Sequence, residues 1–268
     1  MSETLPDNIA EEDSSSIVRV GCAGLPNSVS RTQYFERLDL LEADVTFIEP
    51  PRDLALRKWH SDAPPGAGFT MLAWQYITHD PSTPGYERLS HPLAKELQLE
   101  VGSFRHTPTV KDAWQRTLAA AHTLSAEVVL FQSPPAFAPS QANQDAMRRF
   151  FGEVVGEPPK DLVLAWEPRG MWEPRQAGKI ASELGLVYAV DPLQLEVEPP
   201  EGTEAYFRLY GLGLHRNKIG EEQMDLIADM LDLYERSWVV FNNVEKYPDA
   251  QRFKKLIAGR EFVGDDAE

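Results

Sequence analysis

Eight short apolar runs, each ending at a polar residue and a turn, limit most strongly what this chain can fold into. They are Val18–Gly24, Leu41–Phe47, Phe69–Gln75, Val128–Pro134, Leu162–Pro168, Leu186–Pro192, Ala205–Gly211 and Trp238–Asn243. Runs of this length, rich in Val, Leu, Phe and Trp, read as strands buried on both faces. Each is followed by a helix-compatible stretch. That alternation predicts a single-domain α/β protein, a (β/α)₈ TIM-type barrel, and 268 residues suit one such domain. The polar residues closing the runs then gather at the C-terminal mouth, where such barrels hold their active sites.

Helices are expected over 113–124, 144–155, 174–184, 221–234 and 249–257. Met147, Phe150, Phe151 and Val154 share one face, and Met224, Ile227, Leu231 and Tyr234 recur at three and four residues. Pro174 opens one helix and Gly185 closes it. Lys254 and Lys255 complement the dipole in the last turns of the closing helix. The connection 77–108 breaks the rhythm, being long, rich in Pro and His, and carrying at most one short helix around Pro92–Leu97. It follows the third strand and reads as a lid or wall over the mouth. Residues 1–16, with five acidic groups and four Ser, are expected to be a disordered acidic tail, and 264–268 a second short acidic tail. The barrel takes 17–263.

The net charge of −16, from 42 acidic and 26 basic side chains, repels phosphate backbones over most of the surface. Extended nucleic-acid binding is therefore not expected. No apolar run reaches the ~20 residues of a membrane span, and the first residues lack the basic and apolar regions of a secretory signal. The single cysteine, Cys22, reads as a packed thiol of the first strand and suits a reducing cytoplasm, which is the expected location. Nothing in the pattern fixes an oligomeric state.

Strand alternation places Glu42 and Asp44, Gln75, Gln132, Glu167 and Arg169, Asp191, Arg208 and Tyr210, and Asn242 and Asn243 at the mouth. Several carboxylates and two guanidiniums in one cavity must pair, because unpaired buried charge is costly. The plain account is a satisfied ionic network closing the barrel. Three chemistries stand beside it. In the first, Glu167 with Glu42 or Asp191 serves as acid and base, Arg169 sets the charge of Glu167, and Arg208 clamps an anion. Hydrolase, isomerase or lyase reactions on a small polar or anionic metabolite would suit that set. In the second, Glu42, Glu167 and Asp191 hold Mg²⁺ or Mn²⁺ through oxygen. Support for a divalent cation is weak, as no His falls at a strand end and His79 and His106 belong to the long connection. No metal ligands are therefore assigned. In the third, the cavity binds a ligand without transforming it. Gln75, Gln132, Tyr210, Asn242, Asn243, Trp74 and Trp172 are the remaining binding candidates, although aromatic residues near strand ends, Trp166 among them, are more often packing. There is no P-loop, and Gly21-Cys-Ala-Gly24 lacks the dinucleotide fingerprint, so no nucleotide cofactor is indicated. Gly211-Leu-Gly213 with Arg216 and Lys218 could cradle phosphate, an ordinary glycine loop being the simpler alternative.

Taken together, these segments resemble the YecE-like family, the domain of unknown function numbered 72, over roughly Val18 to Phe262. The carriers are Gly21-Cys-Ala-Gly24, Leu41-Glu-Ala-Asp-Val-Thr-Phe-Ile48, Phe69-Thr-Met-Leu-Ala-Trp-Gln75 with Ile77-Thr-His79, and Gly102-Ser-Phe-Arg105. More specific are Leu130-Phe-Gln-Ser-Pro-Pro135 with Phe137, Trp166-Glu-Pro-Arg169 with Trp172, and Phe241-Asn-Asn243 with Asp249-Ala250. The resemblance implies a (β/α)₈ barrel and carries over Glu42, Gln132, Glu167, Arg169, Asp191, Arg208 and Asn242. It brings no established reaction. This chain departs from the family pattern at Leu25 (usually Trp), Asp44 (Asn), Ile48 (Tyr), Leu72 (Lys) and Tyr210 (His). Losing a Lys, a His and a Tyr from a polar cavity implies altered specificity or lost catalysis.

Overall fold

The computed structural model describes residues 16–194, 199–211 and 218–264, the last four by backbone alone. Eight parallel strands close into a barrel in chain order. They are β1 (Ile17–Ala23), β2 (Leu40–Ala43), β3 (Gly68–Leu72), β4 (Ala126–Gln132), β5 (Val163–Glu167), β6 (Val187–Val190), β7 (Glu204–Leu209) and β8 (Arg236–Phe241). The helices are α1 (Arg31–Phe35), α2 (Asp53–Asp62), α3 (Gln75–Thr78), α4 (Pro108–Leu124), α5 (Gln141–Arg149), α6 (Pro174–Glu183), α7 (Glu221–Leu231) and α8 (Lys246–Gly264). No helix among the described residues is long and apolar enough to cross a membrane.

The two-residue period of the strands splits the apolar side chains into two layers. Ala23, Leu40, Leu72, Leu130, Ala165, Ala189, Tyr206, Trp238 and Val240 pack inside the barrel. Their alternates, among them Cys22, Leu41, Phe69, Phe131, Trp166, Phe207 and Phe241, join the core between strands and helices. Gly21 faces β2 so closely that a Cβ there would stand 1.8 Å from the Leu40 carbonyl oxygen. At the N-terminal end, ion pairs Arg19–Glu127 (3.3 Å) and Arg236–Glu204 (2.7 Å) close the barrel floor.

Two of the expected strands stop early. Thr46 donates its hydroxyl to the carbonyls of Ala43 and Leu72, both at 2.7 Å. Capping both strands there, it turns Asp44–Phe47 into a 3-10 helix and lets Gln75–Thr78 coil instead of extending. The expectation of a helix after every strand also fails once. Among the described residues none lies between β6 and β7, where Pro192, Pro199 and Pro200 oppose one. A groove of about 860 Å³ opens there, lined by Leu162, Leu186, Lys179 and Pro200, away from the polar mouth.

Helix ends follow their local signals. Thr107 accepts the Val110 N–H (3.2 Å) with Pro108 in the first turn, so α4 starts five residues before the expected 113. The helix expected over 144–155 begins at Gln141 and passes into a π turn over Phe150–Val155. Gly185, at φ +66°, lies just past α6 as expected. The helix expected to reach 234 ends at Leu231, and the closing helix runs over Lys246–Gly264, beyond the expected 249–257 at both ends. Apart from Ser16 and Gly264, the two expected acidic tails lie outside the described residues, as do residues 212–217 of the glycine loop.

The long connection after β3 is a packed wall. It carries two 3-10 turns, Tyr86–Arg88 and Lys95–Leu97. Gly102, Ser103 and Phe104 donate their N–H groups to the carbonyls of Tyr76 (2.7 Å), Thr78 (3.1 Å) and Ile77 (2.8 Å). The Phe104 ring is fully buried against Phe131, Phe137, Phe150 and Phe151.

Candidate functional site

Inward alternation on β2, β4, β5 and β7 points Glu42, Gln132, Glu167 and Arg208 into the C-terminal mouth. Arg208 spans the barrel. Its Nε donates to Glu42 Oε1 (3.2 Å) and Oε2 (3.1 Å), and its Nη2 to Oε1 (2.8 Å). Its Nη1 reaches Glu167 Oε2 at 3.2 Å and also donates to the Tyr210 hydroxyl. Glu42 accepts a further bond from the Tyr206 hydroxyl (2.8 Å), which in turn lies 2.9 Å from the Thr70 hydroxyl. Glu42 is wholly buried, so these donors replace its hydration.

Glu167 sits one layer nearer the surface. Gln132 Nε2 donates to its Oε2 at 2.6 Å, the Tyr210 hydroxyl to Oε1 at 2.5 Å, and Arg169 Nη2 lies 3.3 Å from Oε1. Arg169 also lies over the Tyr210 ring, 4.4 Å from its centroid, and donates to the same hydroxyl. Burial and the adjacent Glu167 carboxylate hold the Tyr210 phenol well above its ordinary pKa, so the group stays a donor. Asp191 accepts the backbone N–H groups of Leu193 (3.1 Å) and Tyr210 (3.0 Å), bracing β6 against β7. Burial raises its pKa despite those two bonds.

Beside this network lies a cavity of about 290 Å³, lined by Glu167, Arg169, Trp172, Tyr188, Asp191 and Tyr210 among others. The two guanidiniums differ in access. The Arg208 side chain is 6% exposed with its three nitrogens engaged, whereas that of Arg169 is 31% exposed.

The remaining expected site residues lie in the frame. Trp74 Nε1 and Gln75 Nε2 both donate to the Ile48 carbonyl (2.9 and 3.0 Å), pinning the turn after β2 to the wall. Trp172 lines the cavity with its Nε1 tied to the Phe137 carbonyl at 2.6 Å. Asn242 is half-buried, and its backbone N–H donates to the Leu209 carbonyl at 2.7 Å. Asn243 is buried, and its amide donates to Asp249 at 2.8 Å, which places it with α8. Asp44 packs on Gly24, where a Cβ would stand 2.6 Å from the carboxylate.

One residue of the site falls outside the set expected from sequence. Tyr206 could have been found by counting two back from Arg208 on the same strand face. His79, read from sequence only as part of the long connection, is 7% exposed, with its ring packed edge-on against Phe47 at 4.7 Å. Its Nδ1 lies 2.8 Å from the Thr78 hydroxyl. Burial drops its pKa to about 4; Asp80 opposes that shift and the Arg169 charge adds to it. The imidazole is therefore neutral near pH 7. Among the described residues no three His, Cys, Asp or Glu side chains converge to hold a metal ion; Glu42 and Glu167 converge on Arg208 instead.

The chain belongs to the family described as protein of unknown function DUF72, whose model matches residues 22–262. It is similar to the crystal structure of a DUF72 family protein from Enterococcus faecalis, with TM-score 0.66, 15% identity, and 91% of this chain and 98% of that chain covered. A DUF72 family protein from Thermotoga maritima gives TM-score 0.64 and 17% identity, covering 90% and 99%. A D-psicose 3-epimerase crystallised in the presence of D-fructose gives TM-score 0.56 and 11% identity, covering 85% and 93%. No curated protein matches the chain by sequence.

Proposed function

We propose that this DUF72 barrel is an enzyme that moves a proton on a small polar or anionic metabolite bound at the C-terminal mouth. One observation carries this reading. Glu167 and Asp191 line the same cavity, Glu167 held by Tyr210, Gln132 and two guanidiniums, and Asp191 with a pKa raised by burial. Two carboxyl groups in unlike surroundings suit the roles of base and acid. Arg169, the more accessible cation, takes the anionic group of the ligand. Arg208 and Glu42 act at one remove, by fixing Glu167. A volume of about 290 Å³ suits a metabolite of a few carbons. The D-psicose 3-epimerase of similar fold acts on a small sugar, which fits that size class.

A second reading, ligand binding without turnover, has its own support. Glu167 already accepts three hydrogen bonds and pairs with Arg169, leaving few lone pairs for a substrate proton. One experiment separates the two. Small hydroxy acids, sugar acids and phosphates are incubated with the protein in D₂O, and solvent deuterium entering the ligand is followed by NMR. Exchange in the wild type that disappears in Glu167→Gln supports the enzyme. Binding by calorimetry with no exchange supports the binding protein.

A further inference from the structure

We propose that the ligand of the mouth is a carboxylate with an apolar tail, its head paired with Arg169 and its tail passing Tyr188 into the groove between β6 and β7. This inference rests on the reading of the mouth as an anion site and deepens it by naming the rest of the ligand. The few carbons that fit the mouth cavity are then its head alone.

The two spaces meet at shared residues. Tyr188 and Pro174 line both the cavity of about 290 Å³ that holds Arg169 and the groove of about 860 Å³. Tyr188 points outward from β6, since its neighbours Val187 and Ala189 belong to the inner layer. Cavity and groove are thus separated there by the thickness of a single residue. The hydroxyls of Tyr206 and Tyr210 are tied to carboxylates at 2.8 and 2.5 Å. That of Tyr188 has no hydrogen-bond partner among the described residues, so packing alone holds its half-buried ring. Burial first, and the Glu167 carboxylate second, push its pKa up to about 12, so the phenol stays uncharged beside a hydrocarbon chain.

Across from the ring stands Gly178, in the middle of α6. Glycine at such a position weakens a helix relative to alanine. Its φ lies outside the left-handed region, and a Cβ would meet only Tyr188 Cδ1, at the ordinary contact distance of 3.6 Å. Neither backbone conformation nor crowding calls for glycine here. What it provides is room for the Tyr188 ring to move toward α6.

Beyond Tyr188 the groove suits hydrocarbon. Its floor is Leu162, Leu164 and Leu186, while Lys179 and Glu201 stand exposed at the rim. An anion site joined to an apolar channel matches an amphiphile, because each part of the ligand then meets surroundings of its own polarity.

The test uses the full-length protein with ¹³C-labelled leucine methyls and two probes, propionate and octanoate, with affinities measured by calorimetry. Octanoate should bind about 100-fold tighter, somewhat less than the roughly 1,000-fold that complete burial of five methylenes would give. It should move the methyl resonances of Leu162, Leu164 and Leu186, and propionate should not. Gly178→Leu improves helix propensity and fills the room beside Tyr188, so it should bring octanoate down to the affinity of propionate. Arg169→Ala should weaken both probes. Equal affinity of the two probes for the wild type, or octanoate binding that leaves those methyls unmoved, overturns the passage and leaves the Arg169 anion site standing. So does a preference for octanoate that persists in Gly178→Leu. Octanoate binding indifferent to Arg169→Ala overturns the placing of the head. If neither probe binds the wild type, the anionic reading of the mouth falls, and this inference with it.

Discussion

Tyr210 donates its hydroxyl to Glu167 Oε1 at 2.5 Å while the Arg169 guanidinium lies over its ring, 4.4 Å from the centroid. One residue at the end of β7 thereby fixes both the carboxylate and the accessible cation of β5 and its loop. The family pattern commonly puts a His at this position. A phenol keeps the donor and gives up the imidazole's titration near neutral pH.

Tyr210→Phe should therefore disturb ligand binding more than the fold. Losing the hydroxyl leaves Glu167 short of one donor and takes from Arg169 the bond it donates to that oxygen, while its contacts with the ring and with Glu167 remain. Unfolding in urea should show a loss of about 1–3 kcal/mol. Anion affinity by calorimetry should drop by about tenfold, and equal affinity in the variant would count against Arg169 as the clamp.

Glu42→Leu should be among the most damaging single changes in the mouth. It removes the carboxylate that holds three of the Arg208 hydrogen bonds and leaves that charge, 5% exposed, with Glu167 as its remaining ionic partner, at a cost of about 3–5 kcal/mol. Adding Arg208→Met should recover much of that loss, because no buried charge is then left unpaired. Denaturant midpoints of the two single variants and the double variant form the cycle that checks it.

Stability should also fall on acidification through a window set by His79. Its pKa is about 4 in the folded protein, against an ordinary 6.5. Between those values the unfolded chain binds the extra proton, so folding weakens as pH falls from about 6.5 to about 4, by up to about 3 kcal/mol. His79→Gln should flatten that part of the profile. An unchanged slope in the variant would show that another group causes it.

Gly102→Ala should dislodge the wall. Gly102 holds φ +82°, and a Cβ there would stand 2.5 Å from the His79 carbonyl oxygen. Backbone must move, costing at least about 1–2 kcal/mol. The amides of Tyr76 to Asp80 should then exchange hydrogen faster while the barrel strands keep their protection.

The barrel was legible because its signal repeats. Eight apolar runs with a period of two assign Glu42, Gln132, Glu167 and Arg208 to one face by parity alone, and the fold gathers these four in one hydrogen-bonded network. What remained illegible depends on contacts distant in sequence. Thr46 ends two strands by reaching the Leu72 carbonyl, 26 residues away. Asn243, adjacent to a strand end, goes to Asp249 because it follows Asn242 on the opposite face. His79 looked like a loop residue since nothing in 77–108 announces that 102–104 folds back on 76–78. Pro192, Pro199 and Pro200 disfavour a helix between β6 and β7, and the regularity of the other connections masks that signal.

Arg208 ties β7 to β2 and β5 at once through bonds that the barrel itself supplies. A reaction in this mouth would therefore meet an electric field already oriented. The dipoles have been turned during folding, and little solvent reorganisation is left for the moment when charge moves.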